Sequence, residues 1–293
     1  MRTAAGARNS NAPIQDLIGR AARRLAVAGV DTARLDAEVL LAAAAGAGRA
    51  RVLAGAIEPS AEILARFSQW LLQRETREPL AYIIGRKEFY SLDFEVNPAV
   101  LIPRPETETL AAAALDFIGE GDVRVLDIGT GSGAIAIAIA AGSPHARVVA
   151  TDISEPALEV ARRNAARLGV AQRIELRCAD VFEVLDGGAP LGRFDLVVSN
   201  PPYVDDAAMA TLAPEVRRHE PRLALAGGPD GLGFYRRIAA GVCSHATRNA
   251  RVMVEVGAGQ WETVSSLFAA GGLRTARMID DLAGIPRVAV MRL

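Results

Sequence analysis

The residues with the plainest capacity for chemistry lie in Asp195-Leu196-Val197-Val198-Ser199-Asn200-Pro201-Pro202-Tyr203. Leu196, Val197 and Val198 are apolar β-formers that predict a short buried strand, and the chain then breaks at Asn200. Each proline removes a backbone donor, fixes φ and pushes the residue before it into an extended conformation. The result is a stiff, donor-poor turn at the carboxyl end of a strand. Its free acceptors are the Asn200 side-chain oxygen and the Pro201 carbonyl, with the Tyr203 ring close by. Such a corner suits an –NH2 group that presents two hydrogens. A polar loop after a strand is usually no more than a turn; the Asn-Pro-Pro-Tyr order singles this one out.

A second set of residues surrounds a glycine turn. Gly129-Thr130-Gly131-Ser132-Gly133 falls between a strand and a helix. Glycines there let the backbone approach a ligand and bring the N–H groups of a helix start to bear. Dinucleotide enzymes use a related turn, so the acids around it must decide the ligand. Asp152 ends the next strand, at the spacing where a carboxylate accepts both hydroxyls of a ribose. Asp180 ends the third strand, placed to accept from an exocyclic adenine amine, and Val181 and Phe182 offer apolar contact to the ring. Asp127, under the turn, would suit an ammonium or sulfonium group and repel a pyrophosphate. Any one of these acids could simply cap the helix that follows it. Acids at successive strand ends point instead to an adenosine ligand with a positive tail, and S-adenosylmethionine fits that description better than NAD.

The elements that position these residues follow from the period of the apolar side chains. Residues 14–84 read as helical: Ile14, Leu17, Ile18, Ala21, Ala22 and Leu25 fall on one face, and Gly29 ends that helix. Asp31 or Thr32 can cap a second helix with Leu35, Val39 and Leu40 facing inward. Ser60 can cap a third, through Ile63, Phe67, Trp70 and Leu71. Over residues 87–102 the period becomes two (Phe89, Leu92, Phe94, Val96, then Val100, Leu101, Ile102), which with Asn97-Pro98 between the runs reads as a β-hairpin. Pro103-Arg104-Pro105-Glu106-Thr107-Glu108 starts a helix, proline and acids being favoured in a first turn. Arg104 and Glu106 could face the site, although helix-start chemistry accounts for them nearly as well.

Strands at 123–128, 147–152, 174–177, 194–199 and 251–256 then alternate with helices at 134–141, 155–168, 233–243 and 260–270, before two last strands at 275–279 and 287–291. Such alternation implies a parallel sheet covered on both faces, and the last two strands imply an antiparallel insertion at its edge. The expected fold class is α/β, a seven-stranded mostly parallel sheet with a small N-terminal helical domain. The expected domains are residues 1–85, helical and assigned to substrate recognition, a hairpin linker at 86–104, and the sheet domain at 105–293.

Composition bounds the class of protein. A chain of 293 residues, 51% hydrophobic and 23% charged, has material for about two globular domains. A net charge of −1 gives no global electrostatic footprint for nucleic acid. Cys178 and Cys243 form no Cys-x-x-Cys pair, and His145, His219 and His245 share no ligand spacing, so neither a metal site nor a disulfide framework is expected. A reducing, cytoplasmic setting is the natural reading. The longest apolar run, residues 134–141, is far too short to span a bilayer. Residues 1–13 carry Arg2 and Arg8 and no acid, faintly like a transit peptide; a frayed cytosolic terminus is the simpler reading.

With these motifs the chain resembles the class I S-adenosylmethionine-dependent methyltransferases, and more narrowly the N5-glutamine methyltransferases that act on peptide chain release factors. The resemblance covers nearly the whole chain. It is carried by Asp36-Ala-Glu-Val-Leu-Leu41, Pro79-Leu-Ala-Tyr-Ile-Ile-Gly85, Leu101-Ile-Pro-Arg-Pro-Glu-Thr-Glu108, the glycine turn, Asp152-Ile-Ser154 and Val198-Ser-Asn-Pro-Pro-Tyr203. Glu220-Pro-Arg-Leu-Ala-Leu225, Gly227-Gly-Pro-Asp-Gly-Leu232 and Glu255-Val-Gly257 with Gln260 complete it. The resemblance implies cofactor contacts at Gly129, Thr130, Gly131, Ser132, Gly133, Asp152, Val181 and Asn200, and a substrate turn at Asn200, Pro201, Pro202 and Tyr203. Val181 departs from relatives that carry an aromatic residue against the adenine. The implied reaction converts S-adenosylmethionine to S-adenosylhomocysteine, and the implied substrate is the glutamine of the Gly-Gly-Gln loop of release factors. A sister group that methylates a ribosomal-protein glutamine shares Asn-Pro-Pro-Tyr, but the Pro103 to Glu108 stretch looks like the release-factor group. A monomer is expected.

Two rivals remain from the residues alone. An exocyclic base amine fits the same turn, which would make the chain a nucleic-acid adenine N6-methyltransferase; no basic target-recognition insert supports that. A non-catalytic adenosine-binding module would bind cofactor without turnover, and the intact Asn200 turn argues against it.

Overall fold

The computed structural model describes residues 12–185 and 187–293, so the stretch with Arg2 and Arg8 lies outside the described residues. The chain divides into two compact units with the boundary between Gly85 and Arg86.

The first unit consists of α1 (Ala12–Val27), α2 (Ala33–Ala44), α3 (Arg49–Leu53), α4 (Ala61–Glu75) and α5 (Leu80–Ile84). Ile14, Ile18, Ala21 and Leu25 form the buried stripe of α1 that their spacing predicts. The Ser60 hydroxyl accepts from the Ile63 N–H and caps α4. In α2 the structure corrects one expectation, since Leu35 is 43% exposed and its neighbour Asp36 is buried. A buried carboxylate must be paired, and Asp36 takes a hydrogen bond of 2.7 Å from Arg74 Nε and another of 2.7 Å from the Thr32 hydroxyl.

The second unit opens with the hairpin β1 (Arg86–Phe89) and β2 (Leu92–Glu95). Its turn is at Tyr90-Ser91, both with positive φ (51° and 58°), as a two-residue hairpin loop requires. The expected turn at Asn97-Pro98 is instead a loop after the hairpin, where Asn97 Oδ1 accepts from the Ala99 N–H at 2.9 Å. Val100, Leu101 and Ile102 accordingly form no strand. Then follow α6 (Glu108–Ile118), β3 (Val123–Ile128), α7 (Ala134–Gly142), β4 (Ala146–Asp152), α8 (Glu155–Arg167), β5 (Ile174–Asp180), β6 (Glu183–Val184), β7 (Phe194–Ser199) and β8 (Val204–Asp205). The chain ends with α9 (Asp206–Met209), α10 (Pro214–His219), β9 (Ala226–Gly228), α11 (Gly233–His245), β10 (Ala246–Glu255), α12 (Trp261–Ala270), β11 (Arg274–Asp280) and β12 (Pro286–Arg292).

The main sheet has the order β11-β12-β10-β7-β3-β4-β5-β6. Strands β10, β7, β3, β4 and β5 run parallel, and β12 is inserted antiparallel between β10 and β11. The two-residue β6 is a short antiparallel addition to β5, outside the seven strands that the alternation predicts. On one face Leu126, Ile128, Val197, Val252 and Val254 pack with Tyr235, Ile238, Val264 and Phe268 of α11 and α12. The alternate residues Val125, Leu196, Val198 and Met253 are buried as well, on the face where α6 meets β7 and β10 and α7 meets β4 and β5.

From β3 the chain fills the sheet outward through β4 and β5, then returns to set β7 on the other side of β3. The strand order reverses between β3 and β7, and at such a point an open α/β sheet receives ligands beyond its carboxyl ends. Ile128 is in register with Ser199. The residues that follow them, Gly129 and Asn200, therefore leave the sheet side by side.

Candidate active site

A cleft of about 780 Å³, counting the space open to solvent, lies over these strand ends. Gly129 and Gly131 line it after β3, Asp152 and Ile153 after β4, Asp180 and Val181 after β5, and Asn200, Pro201 and Pro202 after β7. Leu101, Leu223 and Phe234 add apolar wall.

The glycine turn is built to show bare backbone to this cleft. The N–H groups of Gly129 and Thr130 both donate to the Thr151 carbonyl at 2.9 Å. Gly129 and Gly131 have φ of +73° and +55°, and a Cβ at either would meet no atom within 4 Å. At Gly133 a Cβ would lie 2.9 Å from Ile137 Cδ1 and 3.2 Å from Ala161 Cβ, so that glycine serves helix packing. The Thr130 hydroxyl donates to Asp127 Oδ2 at 2.7 Å, and the Ser132 carbonyl accepts from Asn164 Nδ2 at 3.0 Å. Of the five residues expected to touch the cofactor, the structure thus sets Gly129 and Gly131 on the cleft wall, while Thr130, Ser132 and Gly133 hold the turn from behind.

Asp152 Oδ2 accepts from the Gly131 N–H and Oδ1 from the Ser154 N–H, both at 2.9 Å, which leaves the carboxylate further acceptor capacity. Burial raises the pKa of this carboxyl, against the pull of those N–H groups. Asp180 Oδ1 pairs with Arg237 at 2.7 Å. Val181 has φ +59°, a left-handed conformation rare for a β-branched residue. Phe182 departs from expectation: it stacks on His245 with ring centroids 4.4 Å apart and is not on the cleft wall. Its apolar role there falls to Phe234 of α11. Asp127 is also corrected, being fully buried behind the turn with Oδ1 lacking a hydrogen-bond partner. Burial pushes its pKa up to about 7, so it is not a fixed charge facing a ligand.

At the Asn-Pro-Pro-Tyr turn, Asn200 Nδ2 donates to Thr107 Oγ1 at 3.0 Å, and the Thr107 hydroxyl donates to Glu255 Oε2 at 2.6 Å. The Tyr203 hydroxyl donates to Glu255 Oε1 at 3.5 Å, and its carbonyl accepts from Gln260 Nε2 at 3.1 Å. Its ring packs against the sheet core, so Tyr203 braces the turn from behind the cleft wall. Burial pushes Glu255 up to about 7, against the Thr107 hydrogen bond, and pushes Tyr203 up to about 12. Arg104 pairs with Glu220, and Glu106 is exposed.

No role for Thr107, Glu220, Phe234 or Glu255 follows from residue types and spacing alone. Glu255 carried a usable signal, since it ends an apolar strand as Asp152 and Asp180 do. The donor set fits an adenosine ligand with a short tail: open glycine backbone, a carboxylate with acceptor positions to spare, and an apolar wall.

Comparison with known proteins bears on the same features. Residues 16–85 match the family model of the PrmC N-terminal domain, and residues 109–221 that of the methyltransferase small domain. A release factor glutamine methyltransferase of Cereibacter sphaeroides is 44% identical over 279 residues, covering 95% of this chain and 98% of that protein. One from Geobacter sulfurreducens is 44% identical over 267 residues, covering 90% of this chain and 91% of that protein. A solved protein-(glutamine-N5) methyltransferase, release factor-specific, from Alicyclobacillus acidocaldarius is 35% identical, covers 68% of this chain and 99% of that one, and gives a TM-score of 0.40.

Proposed function

The chain belongs to the release factor glutamine methyltransferase family, and on that premise we propose that it methylates the side-chain nitrogen of the Gly-Gly-Gln glutamine in peptide chain release factors. It is an S-adenosylmethionine-dependent protein-glutamine methyltransferase. When bound, the cofactor supplies a methyl group on a positively charged sulfur. The backbone at Gly129 and Gly131, the Asp152 and Asp180 carboxylates and Val181 hold its adenosine part, on a turn kept in shape by Thr130, Ser132 and Gly133.

An amide nitrogen is a poor nucleophile because its lone pair is delocalised into the carbonyl. Asn200 Oδ1 and the Pro201 carbonyl accept its two hydrogens, which raises electron density on nitrogen and aims it across the cleft. Positioning and fixed dipoles lower the barrier. Pro202 keeps the turn stiff and Tyr203 braces it. No carboxylate or histidine belongs to the turn itself.

The observation that carries this reading is the Asn200 amide, whose –NH2 end is tied back to Thr107 at 3.0 Å, leaving Oδ1 as the end open to a substrate. The N-terminal unit, which matches a family-specific model over residues 16–85, is assigned to docking the release factor. The enzyme acts as a monomer in the cytoplasm, where release factors work, and without a direct nucleic-acid contact. Among the described residues no helix is long and apolar enough to cross a membrane. The test is incubation with labelled S-adenosylmethionine, a release factor and its Gln→Ala variant, followed by mass spectrometry. One methyl group on the Gly-Gly-Gln glutamine is expected, and equal labelling of the variant would overturn the assignment.

A further inference from the structure

Glu255 ends β10 with 1% exposure, and the transfer described above makes no direct use of it. An amide side chain has two ends of nearly equal shape, and only its hydrogen-bond partners tell them apart. Asn200 is useful only with its oxygen toward the substrate, because an –NH2 end there would face another –NH2.

We propose that Thr107 and Glu255 are positioning residues that fix the Asn200 amide with its oxygen toward the substrate, an inference that rests on the functional reading above. An ionised carboxylate only accepts, so the 2.6 Å contact to Glu255 Oε2 makes the Thr107 hydroxyl the donor. Thr107 Oγ1 then has only lone pairs left for Asn200, and the group 3.0 Å away must be Nδ2. Oδ1 is turned outward by elimination. Glu255 is itself held in place: the Tyr203 hydroxyl lies 3.5 Å from Oε1, and its main-chain oxygen accepts from the Tyr235 hydroxyl at 2.9 Å. Burial is the strongest influence on Glu255 and opposes its charged form, as does Glu106, while the Thr107 and Tyr203 hydrogen bonds and Arg287 favour it. Were Glu255 protonated, it could donate to Thr107 Oγ1. The Thr107 hydrogen would then be free to turn to Asn200, and the amide would lose its fixed sense.

The test uses the full chain with a release factor and S-adenosylmethionine. Thr107→Val keeps the shape and removes the hydroxyl; Thr107→Ser keeps the hydroxyl. For Thr107→Val we expect kcat to fall on the order of 10–100-fold, with KM for the release factor and calorimetric cofactor affinity within about threefold of wild type. Thr107→Ser is expected to restore kcat to within about threefold. Wild-type kcat is expected to fall on the acid side as Glu255 takes up a proton; Glu255→Gln, which cannot titrate and can offer a hydrogen to Thr107 at every pH, is expected to be slow throughout and to lack that acid limb. Unchanged kcat in Thr107→Val, a loss in Thr107→Ser equal to that in Thr107→Val, or an acid limb that persists in Glu255→Gln would each overturn the relay. The last arm decides the matter if Thr107→Val does not fold. A wild-type chain that leaves the release factor unmethylated would sink the functional reading instead, which keeps the two failures apart.

Discussion

The Arg104 guanidinium donates to the carboxylate of Glu220, whose side chain is 1% exposed and whose second oxygen accepts the Ile102 N–H at 3.1 Å. Two stretches far apart in the chain are joined by this contact, and both line the cleft, through Leu101 on one side and Pro221 and Leu223 on the other. Glu220→Ala would leave a buried N–H and a partly buried guanidinium without an acceptor. Removing one partner of a buried pair costs about 3–5 kcal/mol, and Arg104 keeps 32% side-chain exposure, so a loss of about 2–3 kcal/mol is expected. Urea denaturation measures it. Calorimetry should also show weaker cofactor binding, because the two wall segments lose their tie.

Asn200→Ala removes an oriented acceptor from the substrate amide. By the scale set by loss of one preorganised group, kcat should fall on the order of 10²-fold or more, with a much smaller change in KM. Asn200→Asp should be no better, since a second carboxylate would compete with Glu255 for the single Thr107 hydrogen. Steady-state kinetics with a release factor checks both, and an unimpaired Asn200→Ala enzyme would remove the mechanism.

Much of this site was legible because its parts are local. Strand-then-turn order placed Asn200, the glycines, Asp152 and Asp180 at carboxyl strand ends, and a parallel sheet gathers such ends at one edge whatever the details of packing. What stayed hidden depends on contacts between distant segments. Nothing near Thr107 in sequence indicates that its hydroxyl meets Asn200 and Glu255, and helix-start chemistry accounted for the Pro105-Glu106-Thr107 stretch by itself. The hairpin turn is hard to place from sequence for a related reason: Tyr90 and Ser91 are unusual residues for positive φ, whereas Asn97-Pro98 is an ordinary turn signal that here makes only a local loop. Phe182 shows the limit of adjacency, because its ring turns away from the cleft onto His245 while Phe234, much later in the chain, supplies the wall.

Two glycines of one turn should fail differently. At Gly131 an alanine methyl would meet open space on the cleft side but would sit at φ +55°. Gly131→Ala should therefore cost about 1–2 kcal/mol of stability for the left-handed backbone, and weaken cofactor binding by crowding the cradle. At Gly133 the methyl would press on Ile137 and Ala161 as well as holding φ +81°, so Gly133→Ala should lose more stability than Gly131→Ala. Thermal melts and calorimetry on the pair separate the two effects. If Gly131→Ala bound cofactor as tightly as wild type, the cleft wall there would not be the cofactor cradle.

Asp127 gives a prediction in pH. Its carboxyl is fully buried, and desolvation lifts its folded pKa from 3.8 to about 7, against the Thr130 hydrogen bond. A folded pKa raised in this way means that the native state holds a proton the unfolded chain has released. The stabilising contribution is fully present below about pH 4 and is lost as pH rises through about 7. Asp127→Asn cannot ionise, although its amide can still accept from Thr130 through oxygen. Relative to wild type, the variant should gain stability between pH 5 and pH 8, on the order of 2–3 kcal/mol at about 1.4 kcal/mol per pKa unit. Glu255, raised from 4.5 to about 7 by the same cause, contributes with the same sign, so some decline remains in the variant. Urea denaturation of both proteins across this range is the measurement. Curves that run parallel from pH 5 to pH 8 would show that Asp127 is ionised in the folded protein throughout, and that the turn above it tolerates a buried charge.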